Sequence, residues 1–128
     1  MELRMDGRVA LVTGGSKGLG YAMAHKFAAS GAQVCIVARN GEEVGQAADR
    51  IKLETGGTSL GLPCDVSNAG EIQSAFDACI ETFGKVDILI NNAGYAMAGE
   101  FESITDEQWQ YDFDLKLMAA VRMSRLVF

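Results

Sequence analysis

Four short apolar runs, at residues 9–12, 34–37, 59–62 and 86–90, recur along the chain, and each is followed by a stretch whose apolar residues repeat with helical spacing. Few folds accept that alternation. Val9-Ala10-Leu11-Val12 and Val34-Cys35-Ile36-Val37 are apolar at every position, so both faces of those strands need cover, as in a parallel sheet with helices above and below. The predicted helices each present one apolar face. Leu19, Met23 and Phe27 run up to a stop at Ser30-Gly31, and Val44, Ala47, Ala48 and Ile51 up to Gly56-Gly57. Ile72, Ala75, Phe76, Cys79, Ile80 and Phe83 form the third face. Strand–helix–strand units of this length close with right-handed crossovers. The expectation is a three-layer α/β/α fold in a single domain over residues 1–128, with no repeat, linker or low-complexity segment. A last helix is expected from a Thr105 cap with Gln108 as its capping-box partner, running through Trp109, Phe113, Leu117 and Val121. No glycine, proline or asparagine follows to stop it, so the chain is expected to finish inside that helix.

Composition narrows the partners. A formal net charge of −6 argues against nucleic acid, whose binders need a concentrated basic field. The first six residues carry charges where a secretion signal needs an apolar run, and no stretch approaches the roughly 20 apolar residues that span a bilayer. A cytoplasmic protein without membrane contact is expected. Cys35, Cys64 and Cys79 are odd in number and far apart, which fits buried reduced thiols better than disulfides or a zinc site, and no metal centre is expected.

The segment Thr13-Gly14-Gly15-Ser16-Lys17-Gly18-Leu19-Gly20 joins the first strand to the first helix. A glycine-rich loop in that position aims backbone N–H groups and the positive end of the helix dipole at a bound anion, and a diphosphate suits it. Gly14 permits the tight turn, Gly18 lets the backbone approach the pyrophosphate, and Gly20 allows the helix to sit close to the sheet. The same residues also fit G-x-S-x-G between a strand and a helix, the context of a hydrolase nucleophile elbow. Ser16 would then be the nucleophile and His25, the sole histidine, its base, although His25 lies well along the helix and off the Leu19–Met23–Phe27 stripe. A serine hydrolase therefore stands as the alternative to nucleotide binding.

The pattern T-G-x-x-x-G-x-G closely resembles the glycine motif of the classical short-chain dehydrogenase/reductases. Cys64-Asp65-Val66-Ser67 resembles that family's segment after strand three, whose aspartate contacts adenine, and Asn91-Asn92-Ala93-Gly94 resembles its NNAG motif after strand four. The resemblance implies a Rossmann-type sheet of order 3-2-1-4, truncated after about four strands because the chain matches the N-terminal half of the family's domain. It implies a dinucleotide site made by Thr13, Gly14, Ser16, Lys17, Gly18, Leu19 and Gly20 from the loop, by Arg39 and Asn40, by Asp65 and Val66, and by Asn91, Asn92, Ala93 and Gly94. NAD-preferring members resemble one another in carrying an acid at the end of strand two, where this chain has Ala38-Arg39-Asn40. Arg39 can grip a 2′-phosphate through charge-assisted bonds of roughly 1.5–3 kcal/mol, and Lys17 adds a second cation, so NADP(H) is expected over NAD(H).

Family members transfer hydride between a nicotinamide and a carbonyl or alcohol, using a serine and a Y-x-x-x-K pair in which lysine lowers the tyrosine pKa. That pair does not occur here: the residues four beyond Tyr21, Tyr95 and Tyr111 are His25, Gly99 and Leu115. Lys116 stands where the family usually carries a catalytic asparagine. The chain is therefore expected to be a cofactor-binding half without dehydrogenase turnover, or a noncatalytic nucleotide-binding module, with Tyr95, Met97 and Phe101 as its residues nearest a substrate. An open strand-four edge and a last helix with apolar residues on a second side (Leu115, Met118, Ala119, Leu126) point to a homo-oligomer through the helix, the edge or both.

Overall fold

Parallel pairing of β1 (Val9–Thr13) with β2 (Gln33–Ala38) on one side and β4 (Ile88–Ile90) on the other, and of β2 with β3 (Ser59–Pro63), builds a sheet of order β3-β2-β1-β4. This is a computed structural model, and it describes residues 3–94 and 99–128. Leu11 sits opposite both Cys35 and Leu89, and Cys35 opposite Leu60. Helices α1 (Gly18–Ala29), α2 (Gly41–Thr55) and α3 (Ala69–Phe83) follow the first three strands. After β4, a 3₁₀ turn at Phe101–Ser103 leads into α4 (Asp106–Phe113), a π-helical stretch at Asp114–Met118 and α5 (Ala119–Val127).

Alternating side chains split the core between the two faces. Val12, Val34 and Ile36 pack with Ala24, Ala28, Val44, Ala48 and Ile51 under α1 and α2. Val9, Leu11, Cys35 and Val37 pack with Ile72, Cys79, Leu115 and Met123 under α3 and the last helix. The three-layer expectation holds because every position of β1 and the middle of β2 is buried, which only cover on both faces can achieve. Cys35, Cys64 and Cys79 are free and buried, as the sequence suggested. Among the described residues, no helix is long and apolar enough to cross a membrane.

Three local expectations need correction. The stripe of α1 that meets the sheet is Gly20, Ala24 and Ala28, and Leu19 is 70% exposed, with Met23 and Phe27 flanking. The helix lies so close to the loop after β1 that a side chain at Gly20 would collide with the Gly14 carbonyl, so this face accepts small residues and the bulky ones turn outward. Strand four is shorter than residues 86–90. Asp87 spans the edge by itself, its N–H donating to the Val9 carbonyl at 2.9 Å and its carboxylate accepting the Val9 N–H at 2.8 Å, and regular pairing starts at Ile88.

The last helix begins as expected, with Thr105 and Gln108 exchanging both capping-box hydrogen bonds. Its core face, however, is Leu115, Ala119 and Met123, while Trp109, Phe113, Leu117 and Val121 are exposed. A strict four-residue spacing drifts around an α-helix of 3.6 residues per turn. The wider π turn, closed by Ala119 N–H donating to the Asp114 carbonyl, absorbs that drift and keeps Leu115, Ala119 and Met123 facing the sheet.

Candidate functional site

The site lies beyond the C-terminal ends of β1, β2 and β4, the position at which open parallel sheets hold ligands because the chain leaves adjacent strands toward opposite faces. Thr13 ties it together. Its buried hydroxyl accepts the N–H groups of Asn92 at 2.9 Å and Ala93 at 3.0 Å and donates to the Ile90 carbonyl at 3.3 Å, while Asn92 Nδ2 donates to the Gly14 carbonyl at 3.2 Å. The loops after β1 and β4 are thus one bonded unit. Thr13 and Asn92 fix the shape of this unit.

Gly14 and Gly18 hold φ of +64° and +61°, a left-handed conformation that any residue with a Cβ pays for in steric strain, and nothing lies within 4 Å of where a Cβ on Gly18 would be. The start of α1 differs from those of its neighbours. Asn40, Asn68 and Thr105 cap α2, α3 and α4 by accepting a backbone N–H, whereas Lys17 at the start of α1 offers no capping hydrogen bond. The first N–H groups of α1 thus receive no side-chain cap from Lys17.

A cavity of about 340 Å³ adjoins them, lined by Gly14, Ser16, Lys17, Arg39, Asn40 and Glu43 among its polar residues. Its apolar lining comes from Val37, Ala38, Val66, Ala93 and Leu115. The residues present therefore fit a dinucleotide: donors for a diphosphate, cations for further negative charge and an apolar lining for a base. Arg39 Nη1 lies 3.5 Å from Tyr111 Oη, so the guanidinium bridges from the end of β2 to α4. Lys17 Nζ is 3.9 Å from Glu43 Oε1, and Ser16 Oγ donates to the same oxygen at 3.4 Å. Asn40 lines the cavity and also caps α2 through the Glu43 N–H at 2.9 Å.

Of the other expected residues, Gly94 is on the wall, while Asn91 turns toward α5, its Nδ2 3.4 Å from Ser124 Oγ. Asp65 Oδ1 accepts the N–H and hydroxyl of Ser67 at 2.9 and 2.7 Å, shaping the turn, and the lining at that point is Cys64 and Val66. Gly20 serves packing, and Leu19 is exposed outside the cavity lining. Burial, and after it the charges of Glu71 and Asp65, push the Cys64 thiol up to about 12, so the wall carries a neutral thiol. Val37, Ala38, Glu43, Cys64 and Leu115 were missed from the sequence. Ala38 and Cys64 adjoin recognised residues, but which way each of the five faces is a tertiary fact.

The two residues of the hydrolase alternative have separate partners. Ser16 bonds Glu43, His25 Nε2 lies 2.9 Å from Glu54 Oε2, and no hydrogen bond joins Ser16 to His25. Lys116 pairs with Asp112 at 2.9 Å one turn back, and Leu115, not Lys116, lines the cavity. Phe101 is exposed, edge-on to Trp109 with ring centroids 6.4 Å apart. Tyr95 and Met97 lie outside the described residues. Among the described residues, no cluster of side chains could hold a metal ion.

This fold is Rossmann-type, a parallel sheet of order β3-β2-β1-β4 with helices on both faces. Residues 8–128 match the short chain dehydrogenase family model, and the chain belongs to that family. It is 35% identical over 129 residues to D-threitol dehydrogenase of Mycolicibacterium smegmatis, covering 98% of this chain and 48% of that protein. With 3beta-hydroxysteroid dehydrogenase 1 of Eggerthella lenta it shares 39% identity over 113 residues, 88% of this chain and 43% of the relative. Among solved structures, the L-sorbose reductase of Gluconobacter frateurii in complex with NADPH and L-sorbose superposes with a TM-score of 0.95 at 35% identity, over 99% of this chain and 48% of that one. A 7 alpha-hydroxysteroid dehydrogenase complexed with NADH and 7-oxo glycochenodeoxycholic acid gives a TM-score of 0.92 at 32% identity, over 98% of this chain and 49% of that one. The chain spans about half the length of the proteins it matches.

Proposed function

We propose that this chain is the NADP(H)-binding half of a dehydrogenase/reductase whose reaction moves a hydride between the nicotinamide and a carbonyl or alcohol. The observation that carries the reading is the uncapped start of α1, open to a cavity that Lys17 and Arg39 flank. When bound, the cofactor supplies or accepts the hydride. The chain's own residues would bind and orient it: the α1 N–H groups would hold the diphosphate, Val37, Val66 and Leu115 would offer apolar surface to the base, and Arg39 with Lys17 would favour a 2′-phosphate. No tyrosine of the sequence has a lysine four residues on and Lys116 pairs with Asp112, so the role proposed for this chain is cofactor binding. Asp65 is proposed to border the adenine and Gly94 the cofactor, in line with the family resemblance.

The exposed face of Trp109, Phe113, Leu117 and Val121 supports a homo-oligomer through the last helix. The three free buried thiols support a reducing, cytoplasmic setting. Calorimetric titration with NADPH and with NADH tests the central reading. Arg39→Ala should weaken NADPH about ten- to a hundredfold and leave NADH within about threefold. Binding of neither cofactor by the wild-type chain would refute the nucleotide reading; an equal loss for both would refute the role given to Arg39.

A further inference from the structure

The cation Lys17, expected to favour a 2′-phosphate, already has an anionic neighbour. Glu43 sits in the first turn of α2, its backbone N–H donating to Asn40 Oδ1, and it lines the cavity. There it takes the Ser16 hydroxyl at 3.4 Å and stands 3.9 Å from Lys17 Nζ. Glu42, its neighbour in the same turn, turns away and meets Gln46 Nε2 at 3.4 Å. One of two adjacent glutamates is thus part of the cavity wall and the other is not.

We infer that Glu43 is a specificity-determining residue that narrows the discrimination between phosphorylated and unphosphorylated adenine dinucleotides. This inference rests on the nucleotide reading above. A 2′-phosphate and the Glu43 carboxylate are both anions seeking Lys17 and Ser16, so the phosphorylated cofactor binds at the expense of that pair and beside a like charge. A bare ribose hydroxyl faces no such conflict, because it can donate to the carboxylate and leave Lys17 neutralised. Arg39 pulls toward the phosphorylated form and Glu43 against it, which gives a chain that accepts both cofactors with a modest preference.

The test is titration calorimetry of the full chain with NADPH and NADH for the wild type, Glu43→Gln and Glu42→Gln. Glutamine keeps the length, hydrogen-bonding capacity and helix propensity of the side chain. Both variants remove one charge from the same helical turn, so the second controls for net charge and for the α2 dipole. Glu43→Gln should raise the NADPH-to-NADH affinity ratio about tenfold, while Glu42→Gln leaves it within about twofold. A ratio unchanged in Glu43→Gln, with both cofactors still bound, overturns the inference and leaves the nucleotide reading intact. Equal shifts in the two variants also overturn it, since they would mark a long-range charge effect. If the wild type binds neither cofactor, the reading and the inference fall together.

Discussion

The two strands that pair with β1 are packed differently. On one side, Val34, Cys35, Ile36 and Val37 of β2, an interior strand, have no exposure, and α2 buries all four residues of its apolar face. On the other side, Ile88, Leu89 and Ile90 of β4 are half-buried, and the α4–α5 rod leaves Phe113 52% and Leu117 54% exposed. Both halves use the same kind of sequence. Apolar periodicity says which residues call for cover, and packing decides which of them are buried, as Leu19 on α1 and Phe113 on α4 both show.

The comparison can be broken most sharply in the core. Ile51→Ala, under α2, should cost about 2–5 kcal/mol in urea denaturation, the range for emptying a fully packed site. Ile90→Ala on β4 should cost about 1–1.5 kcal/mol, in proportion to its partial burial. Equal losses would mean that β4 is as well packed as β2. A smaller effect is expected on the exposed face: Phe113→Ser should change the stability of the monomer by less than about 0.5 kcal/mol. If that face joins copies of the chain, the same variant should lower the mass seen by sedimentation equilibrium at micromolar concentration. Sedimentation of the wild type as a monomer would remove the oligomer proposal.

The smallest effect belongs to Asp87, at the seam between the two halves. Lys85 Nζ at 3.0 Å, and after it the Val9 N–H, hold its carboxyl below the ordinary carboxylate value. A folded value below the unfolded one stabilises the fold at pH above the unfolded value, roughly pH 4, and that contribution disappears as pH falls through the folded value. Asp87→Asn should therefore flatten the acid limb of the stability–pH curve below about pH 4, read by denaturant titration at each pH. An unaltered acid limb would show that other carboxylates set it.

Much of the site was legible because it is built from backbone. A glycine loop between a buried strand and a helix serves as an anion site through its own N–H groups, so Gly14, Gly18 and Gly20 carry their meaning in their spacing. The Thr105–Gln108 capping box was equally readable, being a contact between residues three apart. Leu19 misled because a leucine at helical spacing reads as core, whereas the approach of α1 to the Gly14 carbonyl admits only small side chains. Glu43 was invisible among the acids of a helix start, where a carboxylate is ordinary. Its importance comes from Lys17 and Ser16, more than twenty residues away in the chain.

By itself the sequence determined the parallel α/β class, the helix boundaries and the glycine loop between β1 and α1, because periodicity, caps and left-handed glycines act over a few neighbouring residues. The tertiary structure decided which face of each helix is core, where strand four starts, and which charges share the cavity. Those outcomes depend on how closely a helix approaches the sheet, on a π turn that reorients α5, and on side chains meeting across loops, none of which spacing along the chain records.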